Sequence, residues 1–167
     1  MERHDEALEE LRLCLSLPSS GFHFRANAHE SIARILLSQK DDLDGCIAEC
    51  LKALDYDGTL VTARMLLADV YFRKGEFEAA ADQFQVALDW MQRRDASVMR
   101  IDYEVSPSLL YRSHGICKLR AGRYEEAVSS LKMALESRPH DADAQLNLGL
   151  AFHALGRLDE AVEALSL

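Results

Sequence analysis

The chain has 167 residues, 49% of them hydrophobic, with only three prolines and eight glycines, which favours a helical core over turn-rich β structure. Its formal charge of −9 disfavours a surface for nucleic acid or anionic lipid. No apolar run reaches the roughly 20 residues that cross a bilayer, and the start MERHDEALEE is too charged for a secretory signal. We therefore expect an intracellular, cytoplasmic protein with no membrane or nucleic-acid partner.

Apolar residues recur at helical spacing along the chain, and no stretch is convincing as a strand. The pattern predicts helices near residues 3–17, 27–39, 43–55, 60–73, 77–98, 107–120, 124–137, 142–154 and 158–167. Asn27 with Glu30 has the spacing of a capping box at a helix start. Ser106 precedes Pro107, and Asp141 precedes the run ADAQLNL, so both are predicted to cap the helices that follow them. The fold class is predicted to be all-α.

The four cysteines, Cys14, Cys46, Cys50 and Cys117, have neither the CxxC pairing of zinc sites nor the density of a disulfide scaffold. Cys46 and Cys50 are four residues apart and share one face of a predicted helix, where they could hold a metal or form a reactive thiol pair. We favour the simpler interpretation that each cysteine is a small buried hydrophobe in a reducing compartment.

The same pattern of residues recurs along the chain at an interval of 34 positions. This interval separates Gly122 from Gly156 and Gly115 from Gly149, so the match covers both halves of the unit. Gly75 lies 47 positions before Gly122, which places an insertion of 13 residues between two copies. Gly75, Gly122 and Gly156 each follow an amphipathic stretch, as expected where a helix ends in the left-handed conformation that glycine adopts readily.

These copies resemble the tetratricopeptide repeat, a helix–turn–helix unit of about 34 residues with small residues where its two helices cross. In the copy 108–141 the resemblance is carried by Tyr111, Gly115, Gly122, Tyr124, Ala127, Ala134 and Pro139. In the copy 61–94 it is carried by Leu67, Ala68, Tyr71, Gly75, Phe77, Ala80, Phe84 and Ala87. An earlier copy is divergent and lacks a glycine at its turn. The resemblance implies a right-handed α-solenoid of antiparallel helix pairs.

We expect a single solenoid domain over residues 1–167. Its parts are predicted to be a partial unit at 1–20 with the second helix only, a divergent repeat at 27–57, a repeat at 60–94, an insertion at 95–106, a repeat at 107–140 and a truncated repeat at 142–167. Both ends stop within a unit, and a stacked array needs its terminal faces covered. We therefore expect either a segment of a longer array or a partner that covers the ends.

The first helices of such repeats line the concave face of the superhelix, so the resemblance implies a binding surface there. The residues at the equivalent positions are Met65, Asp69, Phe72, Arg112, Ile116, Leu119, Leu146, Leu150 and His153. They are mainly apolar, which favours an amphipathic helix or an extended segment as the ligand. Family members that clamp the acidic C-termini of Hsp70 and Hsp90 use lysine, arginine and asparagine there. Only Arg112 and Asn147 resemble parts of that clamp, so such a tail is not the expected partner.

A second candidate surface is the insertion after Trp90, which is locally basic in an acidic protein. Arg93, Arg94 and Arg100 could form a contact patch for an acidic partner, or they could lie on the solvated extension of a long helix. The sequence leaves both interpretations open.

No arrangement of residues predicts catalysis. The histidines are scattered, and no nucleophile elbow, P-loop or H-E-x-x-H stretch occurs. We therefore expect no enzymatic activity, no cofactor and no metal. The predicted function is a scaffold or adaptor for protein–protein interaction, for example as a subunit of a multiprotein complex. The alternative is a rigid architectural spacer within a large assembly, whose groove is filled by its own chain.

Overall fold

A computed structural model describes residues 2–17, 21–93 and 105–166, and every regular element in those ranges is a helix. The helices are α1 (Glu2–Ser16), α2 (Phe22–Lys40), α3 (Leu43–Tyr56), α4 (Val61–Arg73), α5 (Phe77–Arg93), α6 (Pro107–Arg120), α7 (Tyr124–Ser137), α8 (Ala142–Ala154) and α9 (Leu158–Leu165). The predicted all-α class is confirmed, and the helices have the pairing of a repeat solenoid. In the described ranges, no helix has both the length and the apolar character that a membrane span requires.

The helices belong to two compact units, Met1–Arg73 with α1 to α4 and Lys74–Leu167 with α5 to α9. The division falls in the turn between α4 and α5, inside the predicted repeat 60–94. The prediction of one solenoid domain over 1–167, with its internal boundaries, stays a prediction.

Unit 1 is built around the pair formed by α2 and α3, with α4 packed on α3 and α1 packed on α2. The main core cluster joins buried residues of α2, α3 and α4, namely Ala33, Leu37, Cys46, Cys50, Leu67 and Val70. A smaller cluster holds α1 to α2 through Leu8, Ile32 and Leu36. Each helix therefore buries one apolar stripe against its neighbours, as the helical spacing of the sequence requires.

Unit 2 repeats this arrangement with α6 on α7 and α8 on α9. Its core joins residues of α7, α8 and α9, namely Ala127, Val128, Leu131, Ala134, Ala144, Leu148, Ala151, Phe152, Ala161 and Ala164. Close approach of the paired helices depends on two glycines. A Cβ at Gly115 would lie 2.7 Å from Cγ of Leu131, and one at Gly149 would lie 2.7 Å from Cγ of Leu165. A larger residue at either position would require the facing leucine side chain to shift.

The turns that precede α3, α5, α7 and α9 each contain a residue in the left-handed conformation, and the three glycines among them were predicted. Gly75, Gly122 and Gly156 have φ angles of 79°, 78° and 74°. Asp41 takes this role between α2 and α3, where the sequence lacks a glycine, with a φ of 48°. Asp42 then caps α3, because its side chain accepts a hydrogen bond of 2.9 Å from the backbone N–H of Gly45.

The predicted start of the second helix at Asn27 is wrong. Helix α2 begins at Phe22, with Gly21 in the cap position, so Asn27 and Glu30 both lie inside the helix. The Glu30 side chain forms an ion pair with Arg34 and takes no part in a capping box. The reason for the longer helix is tertiary: the turn before Asn27 carries Ala26, which is buried in a cluster with residues of α3 and α4.

The predicted helix starts after Ser106 and Asp141 agree with the structure. Ser106 occupies the cap position before Pro107, but its side chain makes no capping hydrogen bond. Asp141 caps α8 as predicted, since its side chain accepts a hydrogen bond of 3.1 Å from the N–H of Ala144. Helix α5 is described as far as Arg93, so the rest of the predicted helix 77–98 lies outside the described residues.

Candidate functional site

The first three predicted binding residues lie on α4 in unit 1. Met65, Asp69 and Phe72 follow one another at spacings of four and three, which places them on one face of the helix, and all three are partly exposed. The Asp69 carboxylate lies 3.0 Å from the guanidinium of Arg73. This face therefore consists of two apolar side chains beside an ion pair.

The next three predicted residues lie on α6 in unit 2, and Arg112 has a partner that the sequence did not indicate. Its Nη1 lies 3.0 Å from Oδ2 of Asp141 and 3.4 Å from Oδ2 of Asp143, both at the start of α8. Burial opposes ionisation of Asp141, but hydrogen bonds from the Ala144 N–H and from Arg112 outweigh it, so the pKa of Asp141 is lowered. Arg112 thus joins α6 to the N-terminus of α8.

The other two residues on α6 differ in their surroundings. Leu119 is partly buried against the core cluster of unit 2, so it contributes to packing. Ile116 is also half-buried. The apolar part of the predicted surface on α6 is therefore smaller than the sequence suggested.

The most exposed part of the predicted surface lies on α8. Leu146 and Leu150 are 50% and 49% exposed and are separated by one helical turn. His153 follows on the same face and is exposed. Because α6 and α8 are in contact and are joined by Arg112, the structure brings six of the nine predicted residues onto neighbouring helices. Met65, Asp69 and Phe72 belong to the other unit.

An open depression of about 510 Å³ adjoins this surface at the turn between α7 and α8. It is lined by Arg112, Arg138, Pro139, His140, Asp141, Ala142 and Asp143. Both of its acidic side chains, Asp141 and Asp143, already contact Arg112, and Asp141 also caps α8. These polar groups serve the packing of α8 on α6.

Unit 2 contains a buried polar cluster that the sequence did not predict. The ammonium of Lys118 lies 3.2 Å from a carboxylate oxygen of Glu78 and 3.6 Å from one of Glu126, although its side chain is almost fully buried. Nearby, Nδ1 of His114 lies 2.8 Å from the hydroxyl of Ser130. Burial lowers the pKa of His114, which favours the neutral ring. Both residues of this histidine–serine pair are buried, so the pair links α6 to α7 and does not present a nucleophile.

Two further histidines pair with carboxylates in unit 1. Nδ1 of His29 lies 2.6 Å from a carboxylate oxygen of Glu49, which joins α2 to α3. Nδ1 of His23 lies 3.5 Å from Asp57 at the end of α3. The sequence separations are too large for a local pattern to reveal these pairs. In the described part of the chain, no three potential metal ligands converge.

The cysteines are distributed as three buried thiols and one that is partly exposed. Cys46, Cys50 and Cys117 are buried, as predicted, whereas Cys14 on α1 is half-buried. Burial raises the pKa of Cys117 to about 12, which disfavours the reactive thiolate. Of the predicted basic patch, Arg93 is exposed at the end of α5, and Arg94 and Arg100 lie outside the described residues.

Comparison with known proteins identifies the repeat. The tetratricopeptide repeat family model matches residues 48–97 and 114–167. Comparison with curated protein sequences finds no match. Among solved structures, MamA is 19% identical with a TM-score of 0.77, and the match covers 98% of this chain and 85% of MamA. At this identity the similarity concerns the fold alone.

Two other similar solved structures are described as peptide-binding or peptide-bound proteins. YrrB, described as a TPR protein with an unusual peptide-binding site, is 25% identical with a TM-score of 0.67, and the match covers 83% of this chain and 64% of YrrB. The first TPR of Spaghetti (RPAP3), bound to the HSP90 peptide SRMEEVD, is 19% identical with a TM-score of 0.60, and the match covers 87% of this chain and 96% of that one.

Proposed function

The chain belongs to the tetratricopeptide repeat family, and on that premise we propose that it is a non-enzymatic scaffold that binds a helical or extended partner segment on its first-helix face. In unit 2 this face consists of Arg112, Ile116 and Leu119 on α6 and Leu146, Leu150 and His153 on α8. The observation that carries this proposal is the exposure of Leu146 and Leu150 side by side on α8. An apolar stripe of this kind gains free energy when a partner side chain covers it. The peptide-binding site named for YrrB supports a peptide as the class of ligand.

The proposed ligand is apolar and is not the acidic C-terminus of a chaperone. Of the two residues that resembled a carboxylate clamp, Arg112 is bonded to Asp141 and Asp143. The side-chain amide of Asn147 donates a hydrogen bond of 2.7 Å to the carbonyl of Asp143. Because both groups have intramolecular partners, recruiting them for a ligand carboxylate would first require those bonds to break.

The exposure is compatible with the proposed binding surface, and the architectural alternative predicts instead that other parts of the same protein cover this face. In a spacer whose groove is filled by its own chain, the apolar side chains on α8 would be covered. Within the described residues, Leu146 and Leu150 each keep about half of their surface open to solvent. We place the proposed site in a reducing intracellular compartment, because Cys46, Cys50 and Cys117 are unpaired thiols.

The proposal is tested by selecting ligands from a displayed library of random peptides and measuring their affinity for two variants. Leu150→Glu combined with His153→Glu introduces charge on the α8 face. We expect this variant to bind the selected peptides about tenfold or more weakly, because burial of one leucine is worth roughly 1.5–3 kcal/mol.

The matched control is Met133→Glu on α7, which is also exposed but lies outside the predicted face. We expect this variant to bind like the original chain, and we expect circular dichroism to show the same helix content in all three proteins. Peptides that bind the α8 variant as tightly as the control would exclude the first-helix face as the site.

A further inference from the structure

Helix α6 places a histidine in the interior of unit 2. The His114 residue is only 6% exposed, and its Nδ1 lies 2.8 Å from the hydroxyl oxygen of Ser130 on α7, which is also buried. His114 does not belong to the first-helix face, so the proposed function leaves it without a role. Imidazole is the side chain whose charge ordinarily changes between about pH 5 and 8.

A buried cation lies one helical turn away from this histidine. Lys118 follows His114 by four residues, so the two side chains lie on the same face of α6. The Lys118 side chain is only 7% exposed, and its ammonium lies 3.2 Å from a carboxylate oxygen of Glu78 on α5 and 3.6 Å from one of Glu126 on α7. The buried polar cluster therefore already holds one positive charge, which these carboxylates offset.

Charged groups on three helices or their ends act on His114. Lys118 on α6 and Arg123 just before α7 disfavour a charged ring, whereas Glu126 on α7 and Asp82 on α5 favour it. The acidic residues at the start of α8 pair with an arginine on the opposite side of α6. Burial has the largest effect and also disfavours the charged ring, so the pKa of His114 is lowered from its ordinary value of about 6.5.

We propose that His114 makes unit 2 sensitive to mild acid, because protonation of its ring places a second positive charge in the buried polar cluster and loosens the packing of α6 on α7. The charged ring would face the hydroxyl of Ser130, whereas His29 in unit 1 lies 2.6 Å from the carboxylate of Glu49. A buried charge without such a partner costs free energy that the ring does not pay when opening of the helices solvates it.

The pH range follows from the direction of this effect. Because the folded unit favours the neutral ring, the opened unit binds a proton at a higher pH than the folded one does. The contribution of the neutral ring of His114 to stability is therefore fully present above about pH 6.5 and is lost as the pH falls below that value. Helix α6 also carries part of the first-helix face, so acid would act on partner binding through this helix. The opening itself does not depend on the proposed ligand.

The test measures amide hydrogen exchange of the full 167-residue chain at about pH 7.5 and 5.5, with protection corrected for the intrinsic exchange rate at each pH. Low micromolar concentration limits self-association as the net charge falls. We expect the opening equilibrium of amides in α6 and α7 to rise by up to about tenfold, because about nine-tenths of solvated imidazole rings are charged at the lower pH.

His114→Asn removes the titrating ring and keeps a polar group near the Ser130 hydroxyl. We expect its opening equilibrium in α6 and α7 to change by less than about twofold between the two pH values. Each protein is compared with itself, so a loss of stability common to both pH values does not affect the result. The control is His153→Gln, which removes an exposed histidine of the same unit and should keep the response of the original chain.

Proton NMR of the original chain gives a second measurement that does not require the variant to fold. The ring signals of His114 are assigned through their contacts with α7. We expect the folded ring to titrate below about pH 6.5, and we expect the contacts between α6 and α7 to weaken over the same pH range.

Three results would overturn the proposal. The first is a His114 ring that titrates at or above about pH 6.5 in the folded chain. The second is the same change in protection between the two pH values in His114→Asn and in the original chain. The third is an acid-induced opening of the original chain that leaves α6 and α7 as protected as they are at neutral pH.

Discussion

Asp41 adopts, at the turn between α2 and α3, the left-handed conformation that glycine adopts at the later turns. A residue with a Cβ pays a steric cost of about 1–2 kcal/mol in this conformation, and aspartate tolerates it better than most. The turn is stabilised by a hydrogen bond of 3.2 Å from the N–H of Asp42 to the carbonyl of Leu36. This bond gives a partner to one of the carbonyl groups at the end of α2.

Asp41→Gly should therefore stabilise the chain. We expect the free energy of unfolding to rise by up to about 1 kcal/mol, because relief of strain exceeds the added freedom of glycine in the unfolded chain. The substitution also removes the contact between Asp41 and Arg73, but this contact is exposed and 3.8 Å long, so its loss lowers the free energy of unfolding only slightly. Urea denaturation of both proteins measures the difference.

Asp41→Ala is the control, since it removes the carboxylate but keeps a Cβ in the strained conformation. We expect it to be less stable than the original chain. If Asp41→Gly also proved less stable, strain at this turn would be ruled out as the dominant effect.

At the scale of helices, Arg112 on α6 pairs with Asp141 and Asp143 at the start of α8, and the contact with Asp141 is the shorter of the two. Asp141 accepts hydrogen bonds from Arg112 and from the N–H of Ala144, and its pKa is lowered as a result. A carboxyl group whose pKa is lower in the folded state stabilises the fold above its unfolded pKa of about 4, and the contribution is lost as the pH falls through the folded value.

Asp141→Asn tests this link, because asparagine also caps helices but carries no charge to pair with Arg112. We expect the substitution to lower the free energy of unfolding by about 1 kcal/mol at neutral pH and to have a smaller effect at acidic pH, where the original carboxyl is protonated. Urea denaturation of both proteins at neutral and at acidic pH measures the difference in their free energy of unfolding. A difference between the two proteins that did not shrink in acid would contradict the assigned role of the ion pair.

For the whole molecule, the two compact units each contain buried thiols that report on their opening. Cys46 and Cys50 lie in the core of unit 1, and Cys117 lies in unit 2 with a pKa raised to about 12 by burial. Cys14 on α1 is only half-buried. Thiol reactivity therefore distinguishes local opening of each unit from reaction at an accessible site.

An alkylating reagent should label Cys14 first in the native protein. We expect the buried thiols to react at least about 100-fold more slowly, because labelling requires their unit to open and the thiolate to form. Mass spectrometry of quenched digests follows each site, and Cys14→Ser should abolish the fast phase. Labelling of Cys117 as fast as that of Cys14 would refute its burial in a stable core.

The sequence by itself determined the helix–turn–helix repeat, the all-α class and the glycine turns. These depend on helical periodicity and on φ preferences, which are properties of neighbouring residues. It also placed the predicted binding residues at helical spacing on α4, α6 and α8. It could not assign Arg112, because the guanidinium pairs with a carboxylate 29 residues away.

Only the tertiary structure decided where α2 begins, which residues of the predicted surface remain open and which polar groups are buried. Packing of Ala26 against α3 and α4 extends α2 beyond its apparent capping box. Lys118 is buried because Glu78 and Glu126, from two other helices, meet its charge.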